Sequence, residues 1–386
     1  MKNLLIALTA FTALAVSGAA RSAAQSMDDL NLQVHGYATQ GFIYTNHNSW
    51  DTTDSSSGSP AWTEAVVNLS MQPQPRLRIG IQARYSILGD YGNRIVLDWA
   101  QLDYKVNERV GFRVGDVKTP IGLLNETQDI DPAHPWVLLP QSIYPIASRS
   151  SLLSHYGGVL YGAIPLGERI GKLEYRAFAG QRIIGSEDPY FDTLHYEGIA
   201  VPNGLTGRTF GGTLRWNAPL PGLTFGVSEN SGATSAEATL GPLQGMIHGI
   251  QFRQLFYFGK YERNKWMVAG EYSREQTLGS LQFTGQPAIF QAFDMRPFYG
   301  MASYKLTTKL TGGVYYSSFI DRKADFTSSR YQKDWALAAR YDFSGFLYAK
   351  AEQHFVDGTA VGFSPSDNPN LQPSTRMTLL KLGVSF

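Results

Sequence analysis

The sequence predicts an all-β fold, a sixteen-stranded antiparallel transmembrane β-barrel with one loop folded into its interior. Segments in which apolar and polar residues alternate recur along the chain, and no Pro/Ser-rich linker divides them. Tight turns and longer polar connections alternate between these segments. The chain also holds 39 glycines, 21 tyrosines and 21 phenylalanines, a composition typical of β-structure with many turns.

The N-terminus predicts a cleaved signal peptide over residues 1–24. A lysine precedes an apolar run from Leu4 to Val16, and small residues suited to signal-peptidase cleavage after Ala20 or Ala24 follow. The alternative, a membrane anchor, needs about 20 apolar residues. Residues 25–386 are then predicted to form a single transmembrane barrel domain. The absence of cysteine agrees with a chain that crosses an oxidising periplasm unfolded.

Period-two alternation predicts sixteen strands. Their predicted bounds are 32–46, 62–72, 76–87, 94–106, 109–118, 156–166, 170–181, 207–218, 222–231, 245–259, 265–276, 290–304, 308–320, 331–343, 345–357 and 374–386. Every second connection is tight, as at 73–76 and 107–109, and the others are longer, as at 47–61 and 183–206. Short turns at one end and longer loops at the other are typical of an outer-membrane barrel.

The two faces of the strands differ in a way that favours a polar interior over a solvent surface. In RLRIGIQARYSI, Leu77, Ile79 and Ile81 share one face, and arginines with Gln82 share the other. The predicted pore wall comprises Arg78, Arg84, Arg113, Arg176, Arg215, Arg253 and Arg340. Since Arg78 and Arg84 lie about 20 Å apart along one strand, at most one of them is expected to face a constriction.

Aromatic residues recur next to the short turns. These residues are Tyr104, Trp216, Trp266, Tyr304, Phe343 and Phe386, and they are predicted to form a girdle at the membrane interface. Phe386 ends an apolar stripe with Leu380, Leu382 and Val384. In a closed barrel the last strand pairs with the first, so its ring is expected to pack on lipid and on strand one.

Two stretches carry a resemblance to a known family. The terminal LLKLGVSF resembles the alternating, phenylalanine-ended last strand of Gram-negative sixteen-stranded porins, and LDWAQLDYKVNERVGFRVGDVKTPIGLLNETQDIDP resembles the phosphate-porin-like branches. The resemblance implies an outer-membrane diffusion channel for small hydrophilic solutes or ions, without a cofactor. It also implies contact with membrane lipid, recognition of the last strand by the outer-membrane assembly machinery, and a homotrimer. A monomer stays open.

The connection from Lys118 to about His155 is the candidate constriction loop. A loop of nearly forty residues is expected to be functional, and the resemblance places such a loop inside the lumen; an outer lid or a protein-contact loop is the alternative. Its charged residues Lys118, Glu126, Asp129 and Asp131 would face the arginine wall, and such a field tunes which ions pass. Alternatively, each arginine is simply paired with a carboxylate.

Enzyme and nucleic-acid functions have less support. The seven histidines show neither HxH nor HExxH spacing, and no G-x-S-x-G motif occurs, so no metal or catalytic site is predicted. Asp98 and Asp103 are five residues apart, hence on opposite faces of a regular strand. A bulge could bring them together, and at least one is expected to serve structural hydrogen bonding. A nearly equal 33 basic and 32 acidic side chains do not suggest a nucleic-acid partner. A lipase-like hydrolase on a barrel without a conducting pore, or a soluble secreted β-protein, remains the alternative.

Overall fold

The computed structural model describes residues 31–386, so the predicted signal peptide lies outside the described part. Sixteen antiparallel strands form one closed sheet, in which each pairs with the next and the last returns to the first. This confirms the predicted barrel. The strands are β1 (Gln33–Thr45), β2 (Ser59–Gln74), β3 (Leu77–Leu88), β4 (Tyr91–Lys105), β5 (Gly111–Lys118), β6 (Ser154–Gly167), β7 (Gly171–Ile184), β8 (Leu205–Asn217), β9 (Leu223–Leu240), β10 (Leu243–Arg263), β11 (Trp266–Phe283), β12 (Ile289–Met295 and Phe298–Lys305), β13 (Leu310–Ile320), β14 (Tyr331–Asp342), β15 (Leu347–Gly358) and β16 (Ser374–Ser385).

The two segments of β12 count as one strand because both pair along β11, on either side of Arg296 and Pro297. A two-residue strand, Ile199–Ala200, pairs with Thr239 and Leu240 at the C-terminal end of β9. Residues 31–386 include two short helices, α1 (Arg149–Leu153) and α2 (Asp192–Tyr196), together with five 3-10 turns. Between residues 31 and 386, no helix is long and apolar enough to cross a membrane.

The strands present an apolar face outward and a polar or close-packed face inward. On β14, Trp335 and Leu337 are more than half exposed to the outside, whereas Ala336 between them is fully buried. On β16, Leu382 is exposed and Lys381 is buried. An outward apolar band of this kind is what a barrel embedded in lipid requires.

The terminal phenylalanine closes the barrel through β1. The backbone N–H of Gly36 donates to the carbonyl of Phe386 at 3.0 Å, and the N–H of Phe386 donates back at 3.0 Å. The ring lies over Gly36, where an added Cβ would stand 2.7 Å from ring carbon Cζ. The absence of a side chain at this position lets the last residue pack against the first strand.

The strict alternation of short and long connections fails at one end of the barrel. β9 continues to Leu240 and β10 begins at Leu243, so a two-residue turn replaces the longer connection that the sequence predicted, and residues 89–90 likewise join β3 and β4. The inward positions at the end of β9 are Ala236 and Ala238, both buried. Because alanine gives only a weak apolar signal, the alternation there was not recognised.

Candidate functional site: the barrel interior

The connection between β5 and β6, residues 119–153, is here called the long segment, and it lies across the barrel interior. The carbonyl of Pro120 accepts from Thr213 on β8, and the N–H of Gly122 donates to Ser228 on β9. From β1, the hydroxyl of Tyr37 donates to the carbonyl of Asp129 at 3.1 Å. Since β1 and β8–β9 lie on opposite sides of the closed sheet, the segment bridges them.

Apolar packing fixes one side of the long segment. Its buried residues Ile121, Trp136, Ile143, Tyr144 and Leu152 form one cluster with inward-facing residues of β5–β7 and β10–β14. The carboxylate of Glu271 on β11 accepts from the backbone of Leu123 at 3.1 Å and from the hydroxyl of Tyr144 at 2.7 Å. The part of the interior along β10–β14 is therefore filled by this packing.

Asp131 joins the long segment to the last two strands. Its carboxylate lies 2.8 Å from Nζ of Lys350 on β15 and 3.0 Å from Nζ of Lys381 on β16. The hydroxyl of Tyr348 donates to it at 2.7 Å. Burial opposes ionisation, but the two lysines outweigh it and hold the pKa of Asp131 below its usual range. The carboxylate therefore stays ionised and attached at neutral pH.

Glu126 and Asp129 are also neutralised by neighbouring cations. Glu126 lies 2.6 Å from Arg176 and 3.2 Å from Arg113; burial opposes its ionisation, but these arginines lower the pKa of Glu126. Asp129 is 1% exposed and lies 2.7 Å from Nζ of Lys118. The carboxylates of the long segment thus point toward the wall and are paired there.

A β-bulge on β4 adds to the interior a residue, Asp98, that is not among the pore residues predicted from the sequence. Gln82 pairs with Trp99 and Ala83 with Leu97, so Asp98 is the extra residue. The bulge turns Asp98 inward, where its carboxylate lies 3.1 Å from Arg84 and 2.8 Å from Arg149.

Asp103 also faces inward and lies 3.0 Å from Arg113. Asp98 and Asp103 therefore lie on the same face, because the strand has the bulge that the sequence left open as the alternative to a regular strand. Both carboxylates serve ion pairing. Arg149 in turn contacts Glu64 on β2 at 2.9 Å, and the spacing of Glu64 in the sequence gave no signal of this contact.

Three of the four remaining predicted wall arginines face inward, and each has different surroundings. Arg340 lies 2.9 Å from Asp342 and donates to the carbonyl of Pro132 at 2.6 Å. Arg78 is exposed on the inward-facing side of β3, four residues nearer the short turn than Gln82. Nε of Arg215 has no hydrogen-bond partner among the described residues, and its guanidinium lies 5.5 Å from the ring centroid of Phe258.

The prediction that Arg253 belongs to the pore wall was wrong. Its neighbours Gln254 and Phe256 point inward, whereas its own side chain is 60% exposed on the outward face and pairs with Glu229 at 2.8 Å. A shift of the pairing register between His248 and Gln251 interrupts the alternation along β10. The sequence pattern therefore assigned Arg253 to the wrong face.

The six predicted girdle residues lie beside the short turns at the same end of the barrel. Trp266 packs on Tyr304 with ring centroids 4.5 Å apart, and Tyr104 packs on Phe112 at 5.4 Å. Trp216, Phe343 and Phe386 are more than a third exposed on the outward face. Their contact with a membrane interface stays a prediction.

Two cavities adjoin the long segment. One of about 270 Å³ lies beside β2–β4 and is lined by charged groups, including Glu64, Arg84, Asp98, Arg149 and Lys381. The other, of about 550 Å³, lies between the long segment and the longer connections, and its lining includes Arg182, Gln254 and Glu275. No three histidine or acidic side chains in the described part of the chain come together as a metal site.

Solved structures provide the comparison with known proteins, because no family model and no curated protein sequence matches the chain. OmpF of Salmonella typhi in complex with daunomycin has a TM-score of 0.57 and 14% identity, covering 93% of this chain and 99% of its own. The outer-membrane channel DcaP of Acinetobacter baumannii has a TM-score of 0.56 and 9% identity, covering 95% and 100%. An anion-selective porin of Comamonas acidovorans has a TM-score of 0.53 and 11% identity, covering 92% and 99%. The fold is that of the Gram-negative outer-membrane porins.

At these identities the likeness concerns the fold, and the phosphate-porin-like resemblance stays a prediction.

Proposed function

We propose that the protein is an outer-membrane porin through which small hydrophilic solutes or ions diffuse passively, with the long segment as its constriction. One observation carries this proposal. The segment bridges opposite strands of a closed barrel, yet leaves a cavity beside β2–β4 that is lined by charged side chains of both signs. Charged groups around a narrow passage select among ions and polar solutes.

Ion current through planar bilayers tests the channel. The mature chain is refolded in detergent, its folding is checked by heat-dependent migration on gels, and it is added to one side of the bilayer. Stepwise conductance increases are expected, with none from detergent alone or from the heat-unfolded chain. A folded barrel that passes no current but hydrolyses an ester or a lipid would replace this proposal with the hydrolase alternative.

The preference of the proposed channel for anions or cations is expected to depend more on the charge of Arg84 than on that of Arg78. Arg84 lines the cavity beside β2–β4, whereas Arg78 lies nearer the short turns. Neutralising a charge in a confined space changes the ion preference more than neutralising one in a wide vestibule, because water screens it less. Arg84→Gln is therefore expected to shift the reversal potential across a KCl gradient toward cations, and Arg78→Gln to shift it clearly less.

Equal shifts in the two variants, or none in Arg84→Gln, would contradict this placement of the passage. Folded yield on gels is the control for both substitutions.

The proposed assembly is a homotrimer embedded in outer-membrane lipid, delivered by assembly machinery that recognises β16. Chemical cross-linking of unboiled protein in detergent tests the trimer. A single band at the mass of one chain would favour the monomer.

A further inference from the structure

In the described part of the chain, Arg182 on β7 lacks the carboxylate partner that most of the inward-facing arginines described above have, as does Arg215. Arg84, Arg113 and Arg176 each lie within 3.2 Å of a carboxylate. Arg182 is only 7% exposed, and among residues 31–386 its Nε has no hydrogen-bond partner. No carboxylate of these residues is within ion-pair distance of it, and the charge of Glu275 acts on it from farther away. A buried charge without a counter-ion is costly, so this side chain is available to a negatively charged ligand.

The surrounding wall keeps the guanidinium in place without neutralising it. Arg182 pairs in register with Gly207 on β8, and Gly232 on β9 pairs with Phe252 on β10. The ring of Phe252 lies over Gly232, where an added Cβ would stand 2.7 Å from the ring. The guanidinium carbon lies 4.7 Å from the centroid of that ring. The cation–π contact orients Arg182 but supplies no negative charge.

Arg182 borders the cavity of about 550 Å³. Apolar side chains of Ile250, Phe252 and Phe319 line part of this cavity, and Gln254 and Glu275 line another part. Gln254 donates to the carboxylate of Glu275 at 3.0 Å, so that carboxylate already has a partner on the wall. Asp51 and Asp192 line this cavity as well. The cavity therefore combines a cation that lacks an ion-pair partner in the described chain, an apolar surface and acidic side chains.

We propose that Arg182 forms an anion-binding subsite for small organic acids that carry a single carboxylate and an apolar group. The carboxylate would accept hydrogen bonds from the guanidinium, and the apolar group would pack on Phe252 and Ile250. Glu275 and Asp192 border the same cavity, so a second negative charge on the solute is disfavoured. This subsite rests on the proposed function, since it names the class of solute that the channel would admit.

Calorimetric titration of the refolded mature chain in detergent tests the subsite, with benzoate as the probe. Saturable benzoate binding is expected, with weaker binding of benzyl alcohol, which lacks the charge, and of phthalate, which carries two. Arg182→Gln is expected to weaken benzoate binding at least tenfold, because a charge-assisted hydrogen bond is lost. Arg182→Lys keeps the charge without the planar pair of donors and should recover part of the affinity.

The matched control is Arg208→Gln. Arg208 pairs with Gln181, one position from Arg182 in the strand register, but it is exposed on the outward face. This variant should bind benzoate like the unmodified chain. Equal affinity of Arg182→Gln and the unmodified chain, or equal affinity for benzoate and benzyl alcohol, would overturn the subsite. If Arg182→Gln fails to fold, the affinities of benzoate, benzyl alcohol and phthalate for the unmodified chain and for Arg182→Lys decide whether the subsite exists.

Bilayer recordings of the same preparations separate this inference from the proposed function. Benzoate is expected to reduce the open-channel current of the unmodified chain and not that of Arg182→Gln. If the barrel binds benzoate but passes no current, the proposed channel function is contradicted and the proposed subsite is supported. Ion current without any benzoate binding would overturn the subsite and leave the channel.

Discussion

Single residues where β1 pairs with β16 decide how the barrel closes. Gly36→Ala is expected to lower the free energy of unfolding by about 1–3 kcal/mol, because the new Cβ would stand 2.5 Å from the carbonyl oxygen of Val66 and 2.7 Å from the ring of Phe386. Gly300→Ala on β12 is the matched control, since nothing lies within 4 Å of its added Cβ. Urea unfolding in detergent measures both variants. A Gly36→Ala variant as stable as Gly300→Ala would show that the ring of Phe386 does not need that space.

Residue-level geometry also shows where sequence reasoning stops. The alternation in β3 correctly assigned Gln82 and Arg84 to the inward face, because that strand is regular around them. It failed at Asp98 and at Arg253, where the pairing register shifts on β4 and β10. A bulge adds one residue and reverses the alternation beyond it, and no sequence signal at these two places marked the extra residue.

At the scale of elements, the length and proline content of the long segment predicted a functional connection, but not its attachments. Glu352 on β15 accepts from the backbone of Val137 at 2.8 Å and of Leu138 at 3.0 Å. These contacts join residues more than 200 positions apart. They depend on the final curvature of the sheet and on the path of the segment, which local patterns do not encode.

The packing of Trp136 on β13 offers a test of the long segment as an element. Gly313→Ala would place a Cβ 2.5 Å from the ring of Trp136, so the segment should move toward β2–β4 and narrow the space there. A lower single-channel conductance is expected, measured in planar bilayers. Gly312→Ala, the neighbouring position on the outward face, meets only Leu306 at 3.5 Å and should conduct normally. Unchanged conductance in both variants would contradict a constriction formed by this segment.

At the scale of the whole molecule, the interior is held together by paired charges that join distant parts of the chain. Glu126, Asp129 and Asp131 of the long segment contact cations on β5, β7, β15 and β16. The sequence predicted an acidic loop opposite a basic wall, and it left open whether the arginines were simply paired. The structure shows that the charges of this loop are largely paired with cations of the wall.

The end of the barrel with the longer connections carries an acidic group of a different kind. Asp51, between β1 and β2, is buried, and its N–H donates to the carbonyl of Gly362 at 2.7 Å. Burial, with a smaller contribution from the charges of Asp192 and Asp367, raises the pKa of Asp51 to about 8. An unfolded aspartate has a pKa of about 3.9. The contribution of protonated Asp51 to the stability of the fold is therefore complete below about pH 3.9 and is lost as the pH rises toward 8.

The connections around Asp51 are therefore expected to loosen as the pH rises from 5 to 8.5. Hydrogen exchange of residues 46–58, corrected for the intrinsic pH dependence of exchange, should show protection falling by roughly tenfold or more, since one pKa unit corresponds to a tenfold change. Asp51→Asn should remove this dependence. Asp54→Asn is the matched control, because Asp54 is exposed in the same connection and both positions have a positive φ, which asparagine tolerates. A pH dependence that persists in Asp51→Asn, or disappears in Asp54→Asn, would assign the effect to another group.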